Sequence, residues 1–251
     1  MSKRIVLITG ATSGIGEATA RLLAKNDFKI IICGRRQDRL NALKSELAKL
    51  TEVTTLLFDV RNQKEVERSI ATLPTDWKNV DVLINNAGNA HGFDPIQSGK
   101  LEDWDAMIDI NVKGLLYVSR EIIPSMTERQ SGHIINLGSI AGKEVYPSGN
   151  VYCASKFAVD ALTRGMRMDL NAFGIKVTSI NPGMVETEFA LVRFKGDQEK
   201  ASNVYKGMKP LVAEDIADII RYTLMSPDHV VLADITVFPK AQGSSTMVKR
   251  G

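Results

Sequence analysis

The fold is decided by the start of the chain, where the apolar run Ile5-Val-Leu-Ile8 is followed by the glycine-rich stretch Thr9-Gly-Ala-Thr-Ser-Gly-Ile-Gly16. A short continuous apolar run of this kind is typical of a strand that is buried on both faces. A helical pattern begins directly after the glycines, at about Ile15. The stretch therefore predicts a strand, a tight turn and a helix, which together are the first unit of a parallel α/β sheet.

The same alternation continues along the chain, with predicted strands at 29–33, 53–58, 80–84, 133–137 and 175–180. Helical patterns cover 39–50, 64–73, 104–128, 151–173 and 214–224, and we expect Pro124 to kink or end the fourth helix. Right-handed crossovers place such helices on both sides of a sheet. We predict an α/β protein with a single doubly wound Rossmann-type parallel sheet. Residues 1–251 are expected to form one domain, with a substrate lid at about 188–210.

Composition excludes several classes of protein. The 251 residues are 44% hydrophobic and 24% charged, so the chain can bury a full core and is not disordered. The net charge of +3 is spread without a basic stripe, and we expect no nucleic-acid partner. No membrane partner is expected either, because the first apolar run is too short for a leader or a span.

Cys33 and Cys153 are expected to be buried reduced thiols in a cytoplasmic protein. No metal site is predicted, because the histidines lack the spacing of metal ligands.

The glycine-rich turn is suited to an anion. Glycines allow a sharp turn and a close backbone approach, and the following helix directs free N–H groups and its positive dipole end towards the ligand. The turn therefore predicts a pyrophosphate site, although its GxxxGxG spacing differs from the usual GxGxxG and a turn without ligand is the alternative. The residues predicted to bind here are Gly10, Thr12, Ser13, Gly14, Ile15 and Gly16.

The end of the second strand indicates which dinucleotide binds. An acidic residue there would hold the ribose 2′-hydroxyl of NAD, but the strand ends in Arg35 and Arg36. Two guanidiniums favour the 2′-phosphate of NADP, the alternative being a solvated pair of charges. Asp59, followed by Val60, ends the third strand and could accept a hydrogen bond from adenine, or simply start a loop.

Further motifs follow in order. They are Asn85-Asn-Ala-Gly88, Asn111, Ser139, and Tyr152 with Lys156, the last two four residues apart and therefore on one helix face. Together with the glycine loop, these motifs resemble the short-chain dehydrogenase/reductase family over the whole chain.

The resemblance implies hydride transfer with Tyr152 as the acid/base. An ammonium from Lys156 and the positive nicotinamide ring would favour the phenolate. Lys156 would also hold the nicotinamide ribose, Ser139 would hydrogen-bond the substrate oxygen, and Asn111 would anchor a water chain to Lys156.

The resemblance also implies further cofactor contacts. The end of the fourth strand would contribute Asn86, Ala87 and Gly88. The Pro-Gly-x-Val-x-Thr stretch after the sixth strand would close over the nicotinamide, and it contributes Pro182, Gly183, Val185 and Thr187.

Residues 187–197 and the tail 237–242 resemble the NADP-dependent 3-hydroxy acid dehydrogenases. This resemblance implies oxidation of serine, allo-threonine or related acids, and reduction of 3-oxo acids in reverse. A small anionic substrate needs a cation, and Arg193 is the first candidate because a guanidinium can bind a carboxylate bidentately. Lys195 is the second, and the alternative is that both are surface charges.

Other functions stay open at this point. A reductase of 3-oxoacyl thioesters or general carbonyl compounds would use the same motifs, and an NADP-binding sensor would keep only the binding residues. The family resemblance also implies a homotetramer, formed through the two long helices at 104–128 and 151–173.

Overall fold

A computed structural model of the chain describes residues 3–251. Its strands are β1 (Arg4–Ile8), β2 (Phe28–Gly34), β3 (Val53–Leu57), β4 (Val82–Asn85), β5 (His133–Leu137), β6 (Lys176–Pro182), β7 (Val185–Glu186), β8 (Leu211–Val212) and β9 (Asp234–Val237). Seven of them form one parallel sheet in the order β3-β2-β1-β4-β5-β6-β9, while β7 and β8 pair separately. The predicted doubly wound parallel sheet is confirmed.

Helices cover both faces of this sheet. They are α1 (Gly14–Ala24), α2 (Gln37–Leu47), α3 (Gln63–Ala71), α4 (Leu101–Ile108), α5 (Gly114–Arg129), α6 (Asn150–Leu170), α7 (Glu188–Arg193), α8 (Gln198–Asn203) and α9 (Ala213–Leu224). Strand residues alternate between two cores: Ile5 and Leu7 pack with α3, α5 and α6, whereas Val6 and Ile8 pack with α1, α2 and α9.

The helix predicted over 104–128 is interrupted. It consists of α4, a π-helical turn at Asp109–Lys113, and α5. Of the two outcomes expected for Pro124, a kink or an end of the helix, the end is wrong, because α5 continues to Arg129. Proline removes one backbone hydrogen bond, but the turns around it are held by the buried side chains Ile122 and Met126.

Sequence patterns missed three strands and the internal structure of the segment for which a lid was predicted. The edge strand β9 has no fully buried residue and therefore lacks a continuous apolar run. The segment 188–210, predicted only as irregular and charged, contains the short helices α7 and α8.

The strand order places the site. From β1 the chain proceeds to β2 on one side, while β4 lies on the other side of β1. Connections that leave in opposite directions open a crevice at the carboxyl ends of these central strands.

As predicted, Cys33 and Cys153 are buried and unpaired. No helix within residues 3–251 is long and apolar enough to cross a membrane.

Candidate active site

A cleft of about 600 Å³ opens at the carboxyl ends of the strands. Nearly all the predicted site residues line it; the exceptions are Gly16, Asn111 and the second candidate cation, Lys195. The lining residues are Gly10, Thr12, Ser13, Gly14, Ile15, Arg35, Arg36, Asp59, Val60, Asn86, Ala87, Gly88, Ser139, Tyr152, Lys156, Pro182, Gly183, Val185, Thr187 and Arg193.

The glycine loop between β1 and α1 is closely packed on its own backbone. A Cβ at Gly16 would stand 2.5 Å from the carbonyl oxygen of Gly10, so Gly16 lies behind the loop and allows it to close. The Asn86 side chain donates hydrogen bonds to the carbonyl oxygens of Thr9 at 2.8 Å and Gly10 at 3.2 Å. These bonds fix the loop, and the first residues of α1, Gly14 and Ile15, line the cleft, where a helix N-terminus is suited to an anion.

The arginines after β2 are held by neighbouring loops. Arg36 donates to the hydroxyls of Thr12 and Ser13, each at 3.0 Å. Arg35 lies 3.3 Å from Asp59, which also binds Arg61 at 2.7 Å. Burial would raise the pKa of the Asp59 carboxyl, but hydrogen bonds from Arg61 and the charge of Arg35 lower it.

Ser139, Tyr152 and Lys156 meet where β5 and α6 face the cleft. Tyr152 and Lys156 are only 8% and 7% exposed, and the Lys156 ammonium donates to the carbonyl oxygen of Leu137 at 2.9 Å. The Ser139 hydroxyl accepts a hydrogen bond from the backbone of Ala141 at 3.1 Å. It also lies close enough to the Tyr152 phenol to act against the effect of burial on the pKa of that phenol. The chain thus assembles a phenol, a hydroxyl and an amine at one point.

Asn111 lies behind this group, in the π-helical turn. Its amide donates to the Asn89 carbonyl oxygen at 2.8 Å and to the Ser155 hydroxyl at 2.9 Å, and it accepts from the Asn89 backbone at 2.9 Å. Asn111 therefore joins the turn to α6 and to the loop after β4.

Arg193, at the end of α7, lies among aromatic rings on the other side of the cleft. Its guanidinium carbon is 4.6 Å from the ring centre of Phe93 and 5.5 Å from those of Tyr146 and Tyr152. It donates to the Tyr146 hydroxyl at 3.1 Å. Among the described residues it forms no ion pair with a carboxylate, whereas Lys195 is paired with Asp103 at 2.9 Å.

Comparisons with known proteins agree with this arrangement. The model of the short chain dehydrogenase family matches residues 4–198. The chain belongs to this family.

Among its relatives, an NADP-dependent 3-hydroxy acid dehydrogenase from Salmonella typhi is 46% identical over 239 residues, which is 95% of this chain and 96% of that protein. Sulfoacetaldehyde reductase 2 from Chromohalobacter salexigens is 45% identical over 242 residues, or 96% of each chain. A solved closed form of serine dehydrogenase complexed with NADP⁺ is 43% identical, with a TM-score of 0.92 over 98% of this chain and 100% of that one.

In this short chain dehydrogenase, burial governs the two titrating groups of the site. Burial, with a smaller contribution from Tyr146, raises the pKa of Tyr152, while the nearby Ser139 hydroxyl and the Arg193 charge act in the opposite direction. The net direction is opposite to the one expected from Lys156. Burial also lowers the pKa of the Lys156 amine from its ordinary 10.5 to about 8. Charge in this site is therefore costly unless a ligand supplies a counter-charge.

Sequence reasoning missed several residues of the dehydrogenase site. Phe93 and Tyr146 lie in loops after β4 and β5, where no motif marks them. Phe189 and Glu188 lie in the stretch 187–197, where only Thr187, Arg193 and Lys195 were predicted to bind a ligand. Among residues 3–251, no cluster of His, Cys, Asp and Glu is arranged to hold a metal ion.

Gln242, in the C-terminal tail, is another residue of the cleft for which no role was predicted. It is buried, and its side chain accepts a hydrogen bond from the Met184 backbone at 2.8 Å. The backbone N–H of Gly183 donates a hydrogen bond to the carbonyl oxygen of Val237 in β9 at 2.8 Å. The Pro-Gly stretch of this dehydrogenase is therefore held by the last strand and the tail.

Proposed function

We propose that the chain is an NADP-dependent oxidoreductase that transfers a hydride between NADP and a short 3-hydroxy acid such as serine or allo-threonine. The names of its relatives, including a 3-hydroxy acid dehydrogenase, support this assignment. In reverse, the enzyme reduces 3-oxo acids or semialdehydes. Residues 1–251 act as one catalytic domain, and the segment 188–210 is the lid over the substrate.

One observation carries the substrate class: the guanidinium of Arg193 has no carboxylate partner within the described part of the chain and lies 5.5 Å from the ring of Tyr152. A guanidinium binds an anion such as a carboxylate bidentately. The surrounding rings of Phe93 and Tyr146 limit its hydration and hold its plane. Arg193 therefore binds the acid group while the substrate hydroxyl reaches Tyr152.

The residues present fit NADP. The cradle has no room for a Cβ at Gly16, and two guanidiniums line the cleft where a 2′-phosphate would lie. When bound, NADP accepts a hydride from the alcohol carbon or, as NADPH, delivers one to the carbonyl carbon. The pyrophosphate would be held by Gly10, Thr12, Ser13, Gly14, Ile15 and Gly16, the adenosine by Arg35, Arg36, Asp59 and Val60, and the nicotinamide half by Asn86, Ala87, Gly88, Tyr152, Lys156, Pro182, Gly183, Val185 and Thr187.

The chain's own residues move the proton. Tyr152 takes the proton of the substrate hydroxyl during oxidation and returns it during reduction. Ser139, which lies beside the phenol, stabilises the charge that develops on the substrate oxygen. Lys156 supplies positive charge to the buried site, and Asn111 orders the path by which the proton exchanges with water.

The test is NADPH formation on matched substrates, with 3-hydroxybutyrate and its methyl ester as a pair that differs in charge. We expect Arg193→Ala to lower kcat/KM for the acid by about ten- to a hundredfold, the value of a charge-assisted hydrogen bond, and to leave the ester nearly unchanged. Arg68→Ala, an exposed position on α3, is the control. Equal losses on both substrates would remove the assignment of Arg193.

The same assay run in the opposite direction, as NADPH consumption with carbonyl substrates, separates the other functions. Sulfoacetaldehyde is the second candidate substrate, because a relative is named for its reduction and the sulfonate is also an anion that a guanidinium can bind. A reductase of 3-oxoacyl thioesters or general carbonyl compounds would prefer neutral substrates. An NADP-binding sensor would bind NADPH and turn over none of them.

We also propose a cytoplasmic homotetramer. Leu116 on α5 and Phe157 on α6 are 38% and 41% exposed, and an apolar contact between subunits would cover them. Leu115, by contrast, is buried in the chain itself. Light scattering on the purified protein measures the assembly, and Leu116→Glu should dissociate it.

A further inference from the structure

The first residue of the lid helix α7, Glu188, forms ion pairs with two arginines at the opposite wall of the cleft. Its carboxylate accepts hydrogen bonds from Arg39 at 2.8 and 3.1 Å and from Arg36 at 3.3 Å. Arg39, on α2, was not predicted as a site residue. The lid is thus fastened at its first residue to the end of the sheet where the cofactor-selecting arginines lie.

The same place is the proposed 2′-phosphate pocket. Glu188, Arg35 and Arg36 all line the cleft. Thr187, immediately before Glu188, packs on the glycine loop, where a Cβ at Gly14 would stand 3.3 Å from the Thr187 side chain. A carboxylate therefore stands among the cations that a dianionic phosphate would use.

The ion pairs of Glu188 are suited to exchange. The side chains of Arg36, Arg39 and Glu188 are 40%, 41% and 44% exposed, so each pair is weak and can be replaced by a stronger one. Burial would raise the pKa of Glu188, but hydrogen bonds from Arg39 and Arg36 lower it, and the carboxylate is charged at neutral pH. The other acid nearby, Asp59, is held by Arg61 and Arg35.

We propose that, without a ligand, Glu188 neutralises arginines of the 2′-phosphate pocket. A bound 2′-phosphate then displaces Glu188 from Arg36 and Arg39 and releases the first turn of α7. This inference rests on the proposed use of NADP. A nucleotide without the phosphate leaves Glu188 paired and the lid fastened. Glu188 is therefore a specificity-determining residue, which lowers phosphate affinity and links the choice of cofactor to the lid.

The test uses two probes that differ only in the phosphate, adenosine 2′,5′-bisphosphate and 5′-AMP, titrated calorimetrically at low salt. Glu188→Gln keeps the shape and removes the charge. We expect it to tighten the bisphosphate about two- to fivefold, the value of a half-exposed ion pair, and to leave 5′-AMP unchanged. Glu46→Gln, which removes an exposed partner of Arg21 outside the cleft, should change neither.

Hydrogen exchange of residues 188–193 provides the lid measurement. In the wild type we expect faster exchange with the bisphosphate than with 5′-AMP, and in Glu188→Gln equal, fast exchange with both. An unchanged affinity ratio in the variant overturns the role of Glu188 while leaving NADP use intact. Equal binding of both probes by the wild type overturns NADP recognition itself, and this inference with it.

Discussion

The buried amine of Lys156 gives a prediction that joins stability to catalysis. Its pKa is lowered from 10.5 to about 8 because burial penalises the ammonium. At about 1.4 kcal/mol per pH unit, this corresponds to about 3 kcal/mol of destabilisation when the group is charged in both states. Replacing Lys156 by Met removes the penalty and the hydrogen bond to Leu137, which is worth about 1 kcal/mol. The variant should be about 2 kcal/mol more stable at neutral pH, although inactive.

The pH dependence distinguishes this reason from better packing. Below pH 8 the amine is protonated in both states, and the full penalty applies. Between pH 8 and 10.5 the folded protein has lost the proton that the unfolded chain still binds, so wild-type stability rises through this window. The advantage of Lys156→Met should therefore shrink over the same range and reverse above it, where the lost hydrogen bond to Leu137 leaves the variant about 1 kcal/mol less stable.

Denaturant unfolding of both proteins from about pH 7 to about pH 10 measures the difference, since groups common to both cancel. Lys49→Met, at an exposed position, is the control and should give a pH-independent difference. An advantage of Lys156→Met that stays constant across the range would refute the reasoning from burial.

Three further changes test other parts of the site. Tyr152→Phe should lower kcat/KM by about a hundredfold or more while NADPH fluorescence titrations stay unchanged, and substantial activity would contradict its role as acid/base. Gly16→Ala should lower the free energy of unfolding by about 1–3 kcal/mol and weaken NADPH binding, because the added Cβ meets the loop backbone. The control is Gly165→Ala, at a position of α6 with open space around it, which should raise the free energy of unfolding by about 1 kcal/mol. Asp103→Asn breaks the pair with Lys195, and we expect a two- to fivefold rise in substrate KM with NADPH affinity intact; a change confined to NADPH would argue against a lid contact.

The parts of the site that the sequence predicts are those carried by one short segment. β1, the glycine loop and α1 are contiguous, and Tyr152 and Lys156 share one turn of α6, so spacing alone relates them. The central strands are equally visible, because burial on both faces leaves continuous apolar runs.

The parts that the sequence does not predict depend on contacts between distant segments. Arg39 and Glu188 are 149 positions apart, and neither belongs to a motif. Tyr146 reaches Arg193 only because a loop after β5 folds over the cleft. The direction of the Tyr152 pKa was missed for the same reason, since the burial that sets it comes from residues far apart in the chain.

The hydrogen bond from the Met184 backbone to Gln242 has a consequence for thermal inactivation. An edge strand and a terminal tail are among the first parts of a domain to fray on warming. Here fraying would release residues 182–184 while the central sheet is still folded. Enzymatic activity should therefore disappear several degrees before circular dichroism registers melting, and cooling from that interval should restore it.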